Sequence, residues 1–204
     1  MEIVHGSLAP SAACVGLLPG AFNPPTVAHL ALLRAARQVT DAVVLVVPRT
    51  YPHKTFEGAP LAERLEMLRR LDPELPYAVA LADQGLLIDI AREFRRDILR
   101  EADVHFVCGR DAAERITAWD YGSPGEIERQ LREYKLLVAA RQGEYSPPEK
   151  LRHGIAPLPV ETAEYDEVSS TMVRQMLANG HDAALWQPFV PQSIRELVQS
   201  IYGR

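Results

Sequence analysis

Residues 42–47 read Ala42-Val43-Val44-Leu45-Val46-Val47, a β-branched run with no polar alternation. A strand with one wet face alternates apolar and polar side chains. A strand apolar at every position is covered on both faces, as in a parallel sheet between two layers of helix. The flanking segments fit that reading. Before the run, residues 14–18 read as a strand and 26–39 as a helix, with Val27, Leu30, Ala31 and Leu33 near helical spacing. After it, residues 61–71 place Leu61, Leu65, Leu68 and Leu71 on one helical stripe, and 77–81 returns to a strand pattern. Residues 88–100 form a helix with a charged outer face of mixed sign, 104–108 a strand, a helix starts near Ala112, and 136–140 is a fifth strand. Residues 155–160, interrupted by prolines, read as a short edge piece. A helix over 170–178 stops at Asn179-Gly180, and Pro191 suits the first turn of a last helix over 191–202. Alternation of this kind predicts an α/β fold: a doubly wound, mostly parallel sheet with helices on both faces and right-handed crossovers.

The composition permits this and narrows the chemistry. The chain has 204 residues, 47% hydrophobic and 24% charged, so it is neither disordered nor fibrous and can bury a core without disulfides. Its net charge of −5 disfavours a nucleic-acid partner, which needs a basic surface, but a small anionic substrate needs only a few local cations. The two cysteines, Cys14 and Cys108, lie in apolar runs and read as buried, reduced thiols of a cytoplasmic protein. No basic region followed by an apolar one opens the chain, and the apolar run ending at Pro48 is too short to span a bilayer, so neither a secretory signal nor a membrane partner is expected.

Ligands of doubly wound sheets sit at the carboxyl ends of the strands, where strand order reverses. The loops to inspect are therefore 20–26, 48–60 and 109–111. In the first, Gly20, Ala21, Phe22 and Asn23 run into Pro24-Pro25-Thr26, with His29 one turn later. Thr26 and His29 share a helix face at the positive end of the helix dipole, where a hydroxyl and an imidazole can hold phosphate oxygens. Near the end of the chain, Ser169-Ser170-Thr171-Met172-Val173-Arg174 puts hydroxyls, free amides and a guanidinium at a second helix start with no acid in its first turn. Either motif alone is also what an ordinary capped helix looks like. His5, His105, His153 and His181 have no metal-ligand spacing, and no metal site built from protein side chains is expected.

Together the two motifs resemble the adenylyltransferase branch of the nucleotidyltransferase superfamily, whose members carry (H/T)-x-G-H after the first strand and I-S-S-T-x-x-R near the end. Here they read Thr26-Val27-Ala28-His29 and Val168-Ser169-Ser170-Thr171-Met172-Val173-Arg174. The stretch Gly20-Ala21-Phe22-Asn23-Pro24-Pro25-Thr26-Val27-Ala28-His29 is most similar to the nicotinamide or nicotinate mononucleotide adenylyltransferase family, with its G-x-F-N-P-x-T-x-x-H. Further matches are Pro52-His53-Lys54, Arg64 with Met67, Gly109-Arg110-Asp111, Trp119, and the closing helix from Ser193 to Gly203. The resemblance implies a Rossmann-like fold, with residues 1–204 as a single nucleotidyltransferase domain whose segment from about 165 to 204 completes the ATP site. It implies transfer of AMP from ATP to nicotinate or nicotinamide mononucleotide, releasing pyrophosphate, with Mg²⁺ bound mainly through the ATP phosphates. His29, Thr26, Lys54 and Arg174 are implied as catalytic. ATP would be held by Gly20, Ala21, Phe22, His29, Gly109, Asp111, Ser169, Ser170, Thr171 and Arg174, and the acceptor by Asn23, Lys54, Arg64 and Trp119.

Each of these has a plainer role open to it. Lys54 is also a surface lysine, Asp111 a helix cap, Arg64 a stem covering a helix face, and Trp119 a core aromatic. Arg141, after a strand, reads equally as a nucleotide contact or as surface. Two departures bear on the acceptor. Position 28 is Ala where Gly is commoner, and the segment Asp83-Gln84-Gly85-Leu86-Leu87-Ile88-Asp89-Ile90 lacks the Tyr-Thr pair that usually opens the helix near the pyridine carboxylate; Arg110 also adds a charge of unassigned direction. Two alternatives stay open: a nucleotidyltransferase acting on another phosphorylated acceptor, such as a pantetheine phosphate or a sugar phosphate, and a non-catalytic nucleotide sensor. Homo-oligomerisation is left open as well.

Overall fold

The computed structural model describes residues 1–51, 58–139, 145–160 and 168–203. The apolar run expected to be covered on both faces is β3 (Ala42–Pro48), near the middle of a seven-stranded sheet. It pairs in parallel with β2 (Cys14–Pro19) on one side and β4 (Ala78–Ala82) on the other. Its side chains alternate between two cores: Val43, Leu45 and Val47 point to one layer, Val44 and Val46 to the other.

The parallel sheet continues from β2 through β5 (Asp103–Gly109) and β6 (Lys135–Ala139) to the edge strand β7 (Ile155–Pro157). The far edge is closed by β1 (Glu2–His5), antiparallel to β4. The spatial order is β1-β4-β3-β2-β5-β6-β7. Without β1, the parallel strands follow the doubly wound dinucleotide-binding order, and the order reverses between β2 and β5.

The first core layer takes Leu33 and Ala36 from α1 (Val27–Val39), Met67 and Leu68 from α2 (Leu61–Arg69), and the inner faces of three C-terminal helices. These are α6 (Ser170–Ala178), α7 (Ala183–Trp186) and α8 (Arg195–Tyr202). The second layer is built on α3 (Leu87–Asp97), α4 (Arg110–Ala118) and the short α5 (Glu126–Gln130), with Phe94 fully buried and Phe106 packed edge-on to Tyr134 at 5.0 Å.

Three elements escaped the sequence reading. Strand β1 has four residues, and α5 and α7 have five and four, too few for a period to register. The cysteines also differ from the expected buried thiols: both are free but only half-buried. Cys14 opens β2 with its Sγ 3.7 Å from His105 Nδ1, while His105 Nε2 lies 3.0 Å from Asp103 Oδ2. Burial, reinforced by the Asp103 and Asp41 carboxylates, pushes the Cys14 thiol up.

Trp186 is the largest fully buried side chain and belongs to the same core layer as α1 and α2. Trp186→Ala is expected to lower the unfolding free energy by about 3–5 kcal/mol, with one cooperative transition in a urea titration followed by circular dichroism.

Candidate active site

At the reversal point, β2 ends at Pro19 and the loop begins with the Gly20 N–H donating to the Val46 carbonyl at 3.0 Å. Phe22 follows with φ +48°, a left-handed conformation rare for a side-chain-bearing residue, and is buried. Its ring packs on Gly20, where a Cβ would lie 3.0 Å from it, and tilts against the His29 ring at 5.1 Å between centroids. The peptide bond between Asn23 and Pro24 is cis.

Asn23 is buried and ties three segments together. Its Oδ1 accepts from the Ala59 N–H at 3.1 Å and from the Tyr202 hydroxyl at 2.5 Å, and its carbonyl accepts from Arg174 Nη1 at 2.5 Å. Gly58, at φ +143°, passes so close that any Cβ there would run into the Asn23 amide. One residue on, the Pro24 carbonyl accepts from Ser170 Oγ at 2.7 Å. The start of α6 is thereby fastened to the loop in front of α1, across 146 and 151 residues of sequence. Ser169 caps α6, accepting from the Met172 N–H at 3.1 Å, and Thr171 Oγ1 lies 3.3 Å from Arg174 Nη2.

Thr26 caps α1, and its backbone N–H lies 3.1 Å from His29 Nδ1. A backbone N–H can only donate, so Nδ1 is the acceptor and the proton of the neutral ring is assigned to Nε2. The Thr26 hydroxyl is 2.9 Å from the same nitrogen. The ring is thus fixed by its own helix start, with an N–H donor on the other side.

A cleft of about 790 Å³ opens here, between the ends of β2 and β5, within the range of small-molecule sites. Gly20, Ala21, His29, Gly109 and Trp119 line it. Gly109 caps α4, and a Cβ built on it would touch nothing within 4 Å. Trp119 is 49% exposed, so it is not a core aromatic. Asp111 is exposed in the first turn of α4 and outside the lining, and Arg110 turns outward to Glu114 at 2.8 Å. Arg64 is buried behind the loop, donating from Nη1 to the Ala21 carbonyl at 3.0 Å and the Tyr51 hydroxyl at 2.8 Å. Pro52, His53, Lys54 and Arg141 lie outside the described residues.

Three features of the site were not assigned as site residues from the sequence, although two of them lie in segments that it marked. Tyr202 closes the contact to Asn23, and burial pushes its phenol up, so it remains a donor at neutral pH. Leu86 and Leu87, at the start of α3, face the cleft across from Trp119's helix. Arg115 is the only permanently charged side chain among the described lining residues, and no carboxylate lines the cleft among them. Among the described residues no three His, Cys, Asp or Glu side chains converge as a metal-holding group, and no helix is long and apolar enough to cross a membrane.

The model of the cytidylyltransferase-like family matches residues 17–176. A probable nicotinate-nucleotide adenylyltransferase of Thermus thermophilus is 32% identical over 85% of this chain and 91% of its own length. A phosphopantetheine adenylyltransferase of Moorella thermoacetica is 27% identical over 93% of this chain and 98% of its own. Among solved structures, Plasmodium falciparum nicotinic acid mononucleotide adenylyltransferase complexed with NaAD superposes with a TM-score of 0.71 at 15% identity, covering 92% of this chain and 95% of that one, a likeness of fold.

Two outcomes test the site. Tyr202→Phe removes the hydroxyl that donates to Asn23 Oδ1 and is expected to cost about 0.5–1.5 kcal/mol in chemical denaturation. Cys108 also lines the cleft, and although part of the residue meets solvent, the surrounding apolar atoms desolvate its thiol and push it up to about 12. Because alkylation proceeds through the thiolate, Cys108 should stay unmodified by iodoacetamide at pH 8 in the folded protein and react once the chain is denatured, as read by peptide mass spectrometry.

Proposed function

Because the chain belongs to the cytidylyltransferase-like family and, within it, to the nicotinate-nucleotide adenylyltransferases, we propose that it moves AMP from ATP to nicotinate or nicotinamide mononucleotide, forming the dinucleotide and pyrophosphate in NAD biosynthesis. It is a nucleotidyltransferase enzyme. The observation that carries the proposed site is the pair of contacts from Arg174 to the Asn23 carbonyl and from Ser170 to the Pro24 carbonyl. Through them, two motifs far apart in sequence meet beside the cleft that His29 lines.

The chemistry follows from what such a site can supply. The 5′-phosphate of the mononucleotide is already an anionic nucleophile and needs no general base. One of its oxygens bonds to the α-phosphorus of ATP while the bond from that phosphorus to the β-bridging oxygen breaks, and the electron pair leaves with pyrophosphate. The site must align the two reactants and hold the charge that accumulates. His29 is the proposed donor to the transferred phosphoryl group, through the Nε2–H that its bond to Thr26 leaves on that side of the ring. Thr26 holds the imidazole. Ser170, Thr171, Arg174 and the amides opening α6 are the proposed grip on the β- and γ-phosphates, with Ser169 as the cap that fixes them. Gly20, Ala21 and Phe22 supply backbone to the phosphate end, Gly109 and Asp111 flank the nucleoside, and Lys54 adds charge to the acceptor phosphate. Arg64 acts from behind the loop, through the Ala21 carbonyl. Trp119 offers a flat face to the pyridine ring. The ATP phosphates would hold a Mg²⁺ ion, which would neutralise part of their charge there. The proposed setting is the cytoplasm, with ATP and a small phosphorylated acceptor as the only partners the reaction requires.

The segment from Asp83 to Ile90 lacks the Tyr-Thr pair that the family commonly carries there, and this keeps a second acceptor class in view. A pyrophosphate-release assay with ATP or CTP against nicotinate mononucleotide, nicotinamide mononucleotide and pantetheine phosphate separates the readings. Release with ATP and a pyridine mononucleotide is expected; release only with pantetheine phosphate would replace the acceptor. His29→Ala should lower kcat by roughly 10²–10³, and single-turnover chemistry unchanged in that variant would remove His29 from the mechanism.

A further inference from the structure

We propose that Cys14, with His105 as its base and Asp103 orienting that base, is a thiol-exchange site that takes a small uncharged disulfide and becomes a mixed disulfide. The site stands apart from the transfer reaction proposed above and does not depend on it.

The three residues are brought together by the sheet. Cys14 and Asp103 are the first residues of β2 and β5 and lie directly across from one another in the parallel register. His105 is two residues along β5, so it shares a face of the sheet with Asp103. Its neighbour across β2 is Gly16, which carries no side chain to stand between the imidazole and Cys14. On the other side His105 is across from Lys135, the first residue of β6. The cluster therefore sits at the amino ends of the strands, at the opposite edge of the sheet from the cleft, with Cys14 partly exposed and Asp103 half-exposed.

The hydrogen bonds fix which way the proton can move. Burial alone would raise the Asp103 carboxyl, but the bonds from His105 and Lys135 outweigh it and hold it below its ordinary range. An ionised carboxylate only accepts, so His105 Nε2, 3.0 Å from Asp103 Oδ2, is the donor. In the neutral ring Nδ1 then carries the lone pair, and it lies 3.7 Å from Cys14 Sγ. That is the order of a nucleophile, its base and the group that holds the base. Burial, followed by the Asp103 and Asp41 carboxylates, pushes the Cys14 thiol up, and Lys135 pulls it the other way. The proton thus rests on sulfur, and reactivity comes from the adjacent base rather than from a standing thiolate. The same two carboxylates repel an anionic reagent, which leaves an uncharged disulfide as the fitting class.

In the exchange the Sγ proton passes to His105 Nδ1 as the sulfur attacks one sulfur of the disulfide. A new S–S bond forms at Cys14, the old one breaks, and the departing thiolate takes the proton from Nδ1 and leaves as a free thiol. Cys14 is oxidised and half of the reagent is reduced, with no further oxidant.

The test incubates the full chain with hydroxyethyl disulfide at pH 6–8 and follows adduct formation by intact and peptide mass spectrometry. The adduct is expected on Cys14 and not on Cys108. His105→Gln should slow it roughly 100-fold at pH 7. The remaining rate should climb about tenfold per pH unit, because only spontaneous ionisation then supplies thiolate, whereas the wild-type profile should be shallower. Asp103→Asn should move the profile the same way, since an amide can donate to Nε2 and turn the ring proton toward the sulfur. A thermal melt checks that both variants are folded. An adduct on Cys108 instead, no adduct on the folded wild type, or a wild-type rate and pH slope in either variant would overturn the proposal.

Discussion

The arrangement depends on how one short loop, residues 20–26, is held. It leaves the sheet where strand order reverses, which is where the helical layers diverge and the strand ends open a crevice. Its carbonyls would be orphaned there. Instead Ala21 is taken by Arg64 of α2, Asn23 by Arg174 of α6, and Pro24 by Ser170 of α6. These partners come from two distant parts of the chain, and two of the three are charged groups whose hydrogen bonds are stronger than neutral ones. Tyr202 at the end of α8 and Ala59 before α2 then close on the Asn23 side chain. Backbone spanned this way cannot drift without breaking several at least partly buried hydrogen bonds at once, and it is the backbone from which His29 is presented.

The C-terminal helices gain their place by the same logic. Val173, Leu177, Trp186 and Val198 enter the core layer that α1 and α2 also fill, so apolar burial brings α6 to the sheet. Burial is non-directional and would tolerate some sliding or rotation of the helix. The bonds from Ser170 and Arg174 to adjacent carbonyls set its orientation, because two fixed acceptors define where the helix start must point. Hydrophobic contact supplies the attachment and polar contact the register.

Much of this was legible in the sequence, for identifiable reasons. β3 stood out because a strand apolar on both faces belongs in a sheet covered on both sides, and α6 was readable to the residue because Ser169 and Asn179-Gly180 mark both ends. The meeting of Thr26 and His29 followed from helical spacing alone. Contacts whose partners are distant in sequence and have no period did not show. Nothing near Tyr202 announces that its hydroxyl reaches Asn23, 179 residues away. Arg64 matched a family pattern without revealing that it is buried behind the loop. Arg115 drew no reading at all, because the sequence around it does not show which face of α4 meets the crevice.

The electrostatics of the molecule present an apparent conflict with its proposed substrates. A chain of net charge −5 must hold a triphosphate beside a phosphorylated acceptor. The conflict dissolves once distance is considered. Charges in water are screened beyond roughly 8 Å at physiological salt, so the field in the crevice is set by what lines it. Among the described residues no carboxylate does. Many of the acids are paired elsewhere: Asp72 with Arg34, Glu133 with Arg92, Glu126 with Arg129, Glu66 with Arg70. What lines the crevice, among the described residues, is a histidine and an arginine, with helix starts close by. Net charge describes the surface a macromolecular partner would meet, while a small anion responds to a few ångströms of wall. On that scale, among the described residues, the lining carries one arginine and no acid.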